Sequence, residues 1–490
     1  MVQSGANISA FGTQRGQNQC PLPADIASGL ATMKAFARWI PLVEFLLTAI
    51  LAYTICLVSY RMYLSPLAAV PGPFLAKTTH WYEFYHNFIR TGKYFEKIKD
   101  MHEKYGPVVR VTPEEIHVMD PSMYSKIFVT GAVRKTDAYR RFSNGTGFED
   151  MTAISTGHDA HRRLRAPLDR LFARASIMRI EPRVAARAER LYDRLNSYKG
   201  TGEVVNLTNA LSSLTTDIIS SIIFEEPSDY LGDPDFNQEW YHTLKMGTMS
   251  IPLFKHMPWM VGVLARPLLR RLVTYITDWT IWDEKARRQV MLIRKRPSDE
   301  SKTRDETTVL DHLVHSDLVE KELGGNGGFA RLAQLVQQAG AHNVSHTLGT
   351  IMTHLLLEPE KARPLRNELE AVWSRAGLDG GLDGPSWLDL EKLPYLSAVI
   401  AEGLRMAIGG MNRTPRVFPE NDIDCCGWTI PKGTAISMST CWMHNDEEIF
   451  PDPGCFEPKR WLQADSETVK AMKMHFVPFA TGSRQCVGQK

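Results

Sequence analysis

The sequence predicts a mainly α-helical fold with small β-sheets. Apolar residues recur with helical periodicity over long stretches, for example VAARAERLYDRLNSY and LPYLSAVIAEGLRM. Strand-like stretches are few and short, such as VVRVTPEEIHVM and GWTIPKGTAISMST. The chain shows no internal repeat. We therefore expect one large, mainly helical domain over residues 81–490.

The N-terminal part of the chain contains an apolar stretch long enough to span a bilayer as a helix. Residues 39–60 are twenty-two mostly apolar residues, bracketed by Arg38 and Arg61. A cleaved signal peptide is disfavoured because 38 residues precede the stretch, and a buried core helix is the remaining alternative. We expect a tail at 1–38, a single-pass anchor at 39–60 and a proline-rich connector at 61–80.

Composition and cysteine usage argue against several classes of function. The formal net charge is +2, from 57 basic and 55 acidic side chains that are mixed along the chain, so nothing favours a nucleic acid partner. The seven cysteines are odd in number and irregularly spaced, which argues against a disulfide framework and for a reducing compartment. No C-x-x-C pair occurs to suggest a zinc site.

The chemically most informative stretch is FATGSRQCVGQK, residues 479–490. A thiolate such as that of Cys486 can ligate a metal, and flanking glycines let backbone amides approach the sulfur and donate hydrogen bonds to it. An arginine nearby can pair with a carboxylate of a cofactor. The spacing F-x-x-G-x-R-x-C-x-G fixes five residues, whereas a buried structural cysteine in a turn would require none of the others.

This loop resembles the haem-binding loop of the cytochrome P450 family. The resemblance implies that Cys486 is the axial ligand of a haem b iron. It also implies that Phe479, Gly482 and Arg484 contact the cofactor, Arg484 through a propionate. The fold implied for the main domain, 81–490, is the cytochrome P450 fold, a haem-thiolate catalytic domain.

Two upstream motifs strengthen the resemblance. Glu402 and Arg405 in EGLR match the family's E-x-x-R, and Arg460 in FEPKRW lies in its F-x-P-x-R signature. At spacing i, i+3 the first two side chains share one helix face. The resemblance implies that the three form a buried charged triad supporting the haem side of the fold. Burying these charges is tolerable only if all of them are paired.

A basic helix further upstream supplies more candidate haem contacts. GHDAHRRLRAPLDRLFA resembles the family's helix over the haem edge, with His161 in place of a common tryptophan and Arg165 in place of the arginine. The resemblance implies that both bind haem propionates; a basic helix face in water is the alternative. Arg416 in TPRVFPE is a further candidate for a propionate. The histidine variant and the preceding NGTGFED resemble fungal secondary-metabolite oxygenases related to trichodiene oxygenase.

The long helix departs from the family pattern where dioxygen is activated. AGAHNV stands where the family has A-G-x-(D/E)-T-(T/S), so His342 and Asn343 replace the acid and the threonine that deliver protons. Asn343 and Thr347 share a helix face with His346 and Thr350, a polar stripe that could relay protons instead. His342, Asn343 and Thr347 are the candidate catalytic residues. The alternatives are that the histidines only fill polar pockets, or that the site does not activate dioxygen.

Gly340 in the same helix predicts a close packing contact. Glycine in a helix interior costs about 1 kcal/mol relative to alanine. We therefore expect something to pack near its backbone, and the resemblance implies dioxygen and substrate there.

The end of the sequence departs from the family as well. In the family, the cysteine loop runs into a helix on the proximal haem face and several dozen further residues. This sequence ends at Lys490, four residues after Cys486. We expect a P450 fold that lacks its C-terminal helix and strands and retains haem less well. A misread intron, a fragment of a longer product and a genuine short product are the three explanations.

These motifs lead to one functional expectation. The sequence predicts a haem-thiolate monooxygenase, anchored in the endoplasmic reticulum with its catalytic domain in the cytoplasm, that oxidises an apolar terpenoid or polyketide intermediate. Electrons are expected from NADPH through a cytochrome P450 reductase. The alternatives are a haem-thiolate isomerase or dehydratase that does not use dioxygen, and a truncated product with impaired catalysis.

Overall fold

The computed structural model describes most of the chain. The described residues are 39–130, 133–144, 146–148, 151, 157–264, 279–296, 308–375, 384–407, 409, 413–463 and 466–489. The chain divides after Leu64 into two compact units, Met1–Leu64 and Ser65–Lys490.

The described part of the first unit, residues 39–64, contains an apolar helix. Helix α1, Ile40–Ser59, continues as a π-helical segment, Tyr60–Leu64, and neither contains a buried residue. By length and composition, Ile40–Leu64 could cross a membrane. The tail expected at 1–38 lies outside the described residues.

The second unit is mainly helical, which confirms the predicted fold class. Its helices α2 to α11 are Phe74–Thr78, Trp81–Phe84, Tyr94–Tyr105, Tyr124–Ile127, Arg140–Ser143, His158–Leu171, Arg174–Ser197, Leu207–Ile223, Gln238–His256 and Trp259–Leu264. Helices α12 to α21 are Trp279–Lys295, Val309–Val314, Asp317–Leu323, Asn326–Leu357, Pro359–Arg375, Trp387–Leu390, Pro394–Ala407, Thr440–His444, Arg460–Gln463 and Ser466–His475.

In the residues that the structure describes, two small sheets accompany the helices. Strands β1 to β7 are Val108–Thr112, Glu115–Val118, Asp137–Ala138, Arg416–Val417, Ile423–Cys425, Trp428–Ile430 and Ala435–Ser437. Five of them form a sheet in the order β1-β2-β7-β4-β3, in which only β2 and β7 pair in parallel. β5 and β6 form an antiparallel pair. The two predicted strand-like stretches supply β1, β2, β6 and β7.

The long helix α15 lies in the largest apolar core. Its buried residues Phe329 and Leu332 pack in one cluster with residues of α7, α9, α12 and α13. A second core involves the five-stranded sheet, where Leu67 and Val70 of the expected connector are buried with Ile116 of β2. This part of the connector therefore belongs to the second unit, while the division into anchor, connector and catalytic domain stays a prediction.

Candidate active site

The cysteine loop is held against the stretch that follows helix α5. The Thr481 hydroxyl donates to the carbonyl oxygen of Phe128 at 3.2 Å. The Ser483 N–H donates to the carbonyl oxygen of Val129 at 3.1 Å. Gly482, between them, adopts a φ of +80°, and a Cβ there would lie 2.5 Å from the Val129 oxygen. Glycine is therefore required both by the backbone conformation and by the close approach.

Cys486 follows a short turn in this loop. The turn Gly482–Arg484 is a 3-10 helix, and the Cys486 N–H donates to the carbonyl oxygen of Phe479 at 2.9 Å. The Cys486 side chain is exposed. A Cβ at Gly488 would lie 3.9 Å from the Cys486 sulfur, so the chain after the cysteine runs close to it. The loop presents an accessible sulfur on a fixed backbone, as an axial ligand requires.

Arg484, Arg416 and His161 form a buried basic cluster. Burial lowers the pKa of Arg484 to about 10, with Asp137 opposing the shift. Burial, followed by the charge of Arg484, lowers the pKa of Arg416 to about 10. The same two causes lower the pKa of His161 to about 3. The charged forms in this cluster destabilise one another. An anion with two carboxylates would offset this repulsion, so the cluster fits the propionates of a haem.

Arg165 contacts the site in a way that the sequence did not predict. Its Nε donates to the Asp169 carboxylate at 2.8 Å, and its Nη1 donates to the carbonyl oxygen of Gln485. Gln485 directly precedes Cys486. No sequence signal could reveal this contact, because every residue carries a carbonyl acceptor. The expected contact of Arg165 with a propionate stays a prediction.

The candidate proton relay lies on α15, where its side chains bond to the helix backbone. Asn343 is exposed, and its Nδ2 donates to the Ala339 carbonyl oxygen at 3.2 Å. The Thr347 hydroxyl donates to the Asn343 carbonyl oxygen at 3.0 Å. Burial, with His346 adding to it, lowers the pKa of His342. Asn343 and Thr347 keep side-chain acceptor oxygens for water. Their catalytic role stays a prediction.

Gly340 marks a close approach of two helices. A Cβ at this position would lie 2.7 Å from Cγ1 of Ile219 on α9. The expected close contact therefore exists, but it is made by a side chain of the neighbouring helix. This packing is sufficient to account for the glycine, and the approach of dioxygen and substrate stays a prediction.

The structure brings Glu402, Arg405 and Arg460 together. Arg405 donates through Nε and Nη2 to the Glu402 carboxylate at 2.9 and 2.8 Å, and both side chains are fully buried. Arg460 donates through Nε to the same carboxylate at 3.0 Å. The backbone N–H of Glu457 and the indole N–H of Trp461 add bonds of 2.9 and 3.0 Å. Five donors therefore offset the desolvation of one carboxylate.

Three features together define a thiolate-ligated haem protein: an accessible cysteine on a fixed loop, a buried basic cluster that suits two carboxylates, and a long helix in the largest apolar core. The chain belongs to the cytochrome P450 family, whose sequence profile matches residues 75–490. It is accordingly a monooxygenase, an oxidoreductase.

Curated relatives of this chain are fungal enzymes. Cytochrome P450 monooxygenase oblB of Cochliobolus heterostrophus is 37% identical over 453 residues, which cover 89% of this chain and 84% of the relative. Fusicoccadiene C-8 hydroxylase of Alternaria brassicicola is 34% identical over 91% of this chain and 85% of its own length. N-acetyltryptophan 6-hydroxylase ivoC of Emericella nidulans is 35% identical over 93% and 87%, respectively. This confirms the fungal secondary-metabolite type.

Proposed function

We propose that this monooxygenase inserts one oxygen atom into an apolar terpenoid or polyketide intermediate of a biosynthetic pathway. The observation that carries the proposal is the Cys486 loop beside the buried basic cluster, which together suit a haem with a thiolate ligand. The fusicoccadiene hydroxylase among the relatives supports an apolar substrate.

Each part of the site would have a separate task. Cys486 would ligate the iron, while Arg416, Arg484 and His161 would hold the propionates and so fix the orientation of the haem. Bound haem supplies the activation of dioxygen and the transfer of one oxygen atom to carbon. The triad of Glu402, Arg405 and Arg460 would support the haem side of the fold.

Proton delivery would fall to the polar face of α15. Asn343 and Thr347 carry acceptor oxygens that can hold water, and His342 lies beside them on the same helix. Exchanging Asn343 for threonine restores the residue type common in the family. The share of NADPH lost as hydrogen peroxide should change in this variant. An unchanged share would argue against a role of Asn343 in proton delivery.

Electrons would come from NADPH through a cytochrome P450 reductase, and α1 would anchor the enzyme in the endoplasmic reticulum with the catalytic domain in the cytoplasm. The support for an anchor is the length and composition of Ile40–Leu64. Removing residues 1–64 should release the protein from sedimenting membranes. Retention of the shortened protein in the membrane fraction would contradict this role of α1.

Isotope labelling separates the proposed reaction from its alternative. With reductase, NADPH and labelled dioxygen, the product should carry one labelled oxygen atom. A second candidate, an isomerase or dehydratase, is suggested by His342 and Asn343 in place of the usual acid and threonine. That enzyme would convert an already oxidised substrate without NADPH and without label.

A further inference from the structure

We propose that Arg165 is a positioning residue that fixes the peptide unit in front of Cys486 and so orients the thiolate. This inference rests on the proposed role of Cys486 as the iron ligand. The guanidinium bonds in two directions at once. Nε donates to the Asp169 carboxylate one turn further along α7, and Nη1 donates to the carbonyl oxygen of Gln485.

The peptide unit between Gln485 and Cys486 is held at both ends. Its carbonyl oxygen accepts from Arg165, and its N–H donates to the carbonyl oxygen of Phe479 at 2.9 Å. A peptide unit is planar, so fixing both ends fixes its plane. The position of the Cys486 Cβ relative to this plane then depends on one backbone rotation, φ of Cys486.

The residue after the cysteine is packed as well. Val487 packs against the apolar cluster that contains Leu164 and Leu168 of α7. Arg165 lies between these two leucines in the sequence. The residues on both sides of Cys486 are therefore held, Gln485 by Arg165 of α7 and Val487 by the apolar cluster to which α7 contributes.

This restraint matters because a reactive group must be held within about 0.5 Å of its working position. A rigid guanidinium can serve a carboxylate and a carbonyl at the same time, whereas a lysine ammonium is a single point charge on a flexible stem. Arg165→Lys keeps a positive charge for a carboxylate partner but loses the paired contact. The variant therefore separates positioning of the loop from neutralisation of a propionate.

The experiment compares the full-length haem-loaded wild type with Arg165→Lys and with Arg163→Lys. Arg163 is the matched control because it lies on the same helix, is exposed and bonds to Glu322. Two signals are measured: the fraction of the ferrous carbon monoxide complex with a thiolate-type band, and the rate of haem transfer to an excess of apomyoglobin. Asp169→Asn serves as a second variant, which keeps Arg165 but removes its anchor.

In Arg165→Lys we expect at least a threefold rise in the fraction of the ferrous carbon monoxide complex that lacks the thiolate-type band. The rate of haem transfer should stay within about twofold of wild type. Asp169→Asn should show a smaller rise of the same fraction. This variant provides the test if Arg165→Lys does not fold. Arg163→Lys should match wild type in both measurements. Wild-type bands in Arg165→Lys and Asp169→Asn would overturn the proposal. So would faster haem transfer without a change of band, which would assign Arg165 to a propionate. A wild type without a thiolate-type band would refute Cys486 as the ligand, and with it this inference.

Discussion

The guanidinium of Arg413 lies 2.7 Å from the carboxylate of Glu83, 330 residues away in the chain, and both side chains are buried. Glu83 also accepts from Lys255 at 2.6 Å, and Arg413 also donates to Glu115. Burial raises the pKa of Glu83, but the charges of Arg413 and Lys255 outweigh this effect and hold the pKa below its ordinary value. The network joins α3, β2 and the end of α10 to the stretch before β4.

Removing one acid from this network should destabilise the protein strongly. Glu83→Gln leaves Lys255 and Arg413 buried with less opposing charge, a change that costs about 3–5 kcal/mol of unfolding free energy. The midpoint of thermal unfolding measures it. Glu96→Gln is the control, because Glu96 forms an exposed pair with Lys93 that contributes less than about 1 kcal/mol. Equal midpoints for the two variants would contradict the structural role of the network.

Two glycines of α15 should respond in opposite ways to substitution by alanine. Gly340→Ala brings a Cβ to 2.7 Å from Ile219, and such overpacking costs about 1–3 kcal/mol. Gly349→Ala finds nothing within 4 Å and gains the helix propensity of alanine, up to about 1 kcal/mol. Thermal unfolding of the two variants tests the packing of α9 on α15. A stabilising Gly340→Ala would show that the helices do not approach here.

Gly482 should not tolerate a side chain. In Gly482→Ala the Cβ would lie 2.5 Å from the Val129 oxygen at a φ of +80°, so the cysteine loop must leave its position. We expect loss of haem at purification, measured as the ratio of haem to protein. Gly454→Ala, where a Cβ meets nothing within 4 Å and φ is not positive, should keep the wild-type ratio. Full haem content in Gly482→Ala would contradict the described loop.

Two buried histidines form a directional chain of hydrogen bonds. His102 Nδ1 lies 2.8 Å from the carbonyl oxygen of Gly106, which can only accept, so this nitrogen carries the proton. His102 Nε2 is then the acceptor for His117 Nδ1 at 2.7 Å. His117 Nε2 in turn accepts from the Ser439 hydroxyl at 3.0 Å. Protonating His102 would place two N–H donors face to face, whereas a proton on His117 Nε2 could be donated to the Ser439 hydroxyl oxygen. Burial favours the neutral form of both rings.

This pair should make the protein less stable as the pH falls. Burial lowers the pKa of His102 to about 4, and burial with the neighbouring His102 lowers that of His117 well below its ordinary value. Below about pH 6.5 the unfolded chain binds these protons and the folded protein does not. The pair's contribution is therefore complete above about pH 7 and is lost as the pH falls towards 4.

The pH slope of stability can be measured directly. Each proton bound only by the unfolded state changes the unfolding free energy by about 1.4 kcal/mol per pH unit. His102→Gln should reduce the slope of unfolding free energy against pH between pH 6 and pH 4.5. The expected reduction is about 1.4 kcal/mol per pH unit, which corresponds to one proton. His312→Gln, at an exposed position, should leave the slope unchanged. An unaltered slope in His102→Gln would mean that this ring titrates alike in both states.

The sequence predicted those parts of the fold and the site that particular residue types or a regular apolar pattern mark. The cysteine loop, the E-x-x-R helix and the strands β1, β2, β6 and β7 follow from motifs and periodicity, and the comparisons confirm the family. It also anticipated that Gly340 packs closely, because glycine in a helix needs a reason. It could not name Ile219 as the contact, since the crossing of two helices depends on the whole packing arrangement.

The contacts that the sequence missed are long-range or involve the backbone. Nothing in the sequence pairs Glu83 with Arg413, since both look like surface charges in their own stretches. Arg165 was assigned to a propionate by resemblance, whereas its Nη1 bonds to the carbonyl oxygen of Gln485. Such a contact leaves no trace in residue identity, because it depends on how the folded chain brings a side chain and a distant carbonyl group together.

The most direct test of Cys486 as the iron ligand is the ferrous carbon monoxide spectrum of the 490-residue protein and of Cys486→Ser. If Cys486 ligates the haem iron, the wild type shows the thiolate-type band and the serine variant does not. Cys455→Ser, at another exposed cysteine, should retain the band. A thiolate-type band in Cys486→Ser, or bound haem without that band in the wild type, would contradict the assignment of Cys486 as the axial ligand.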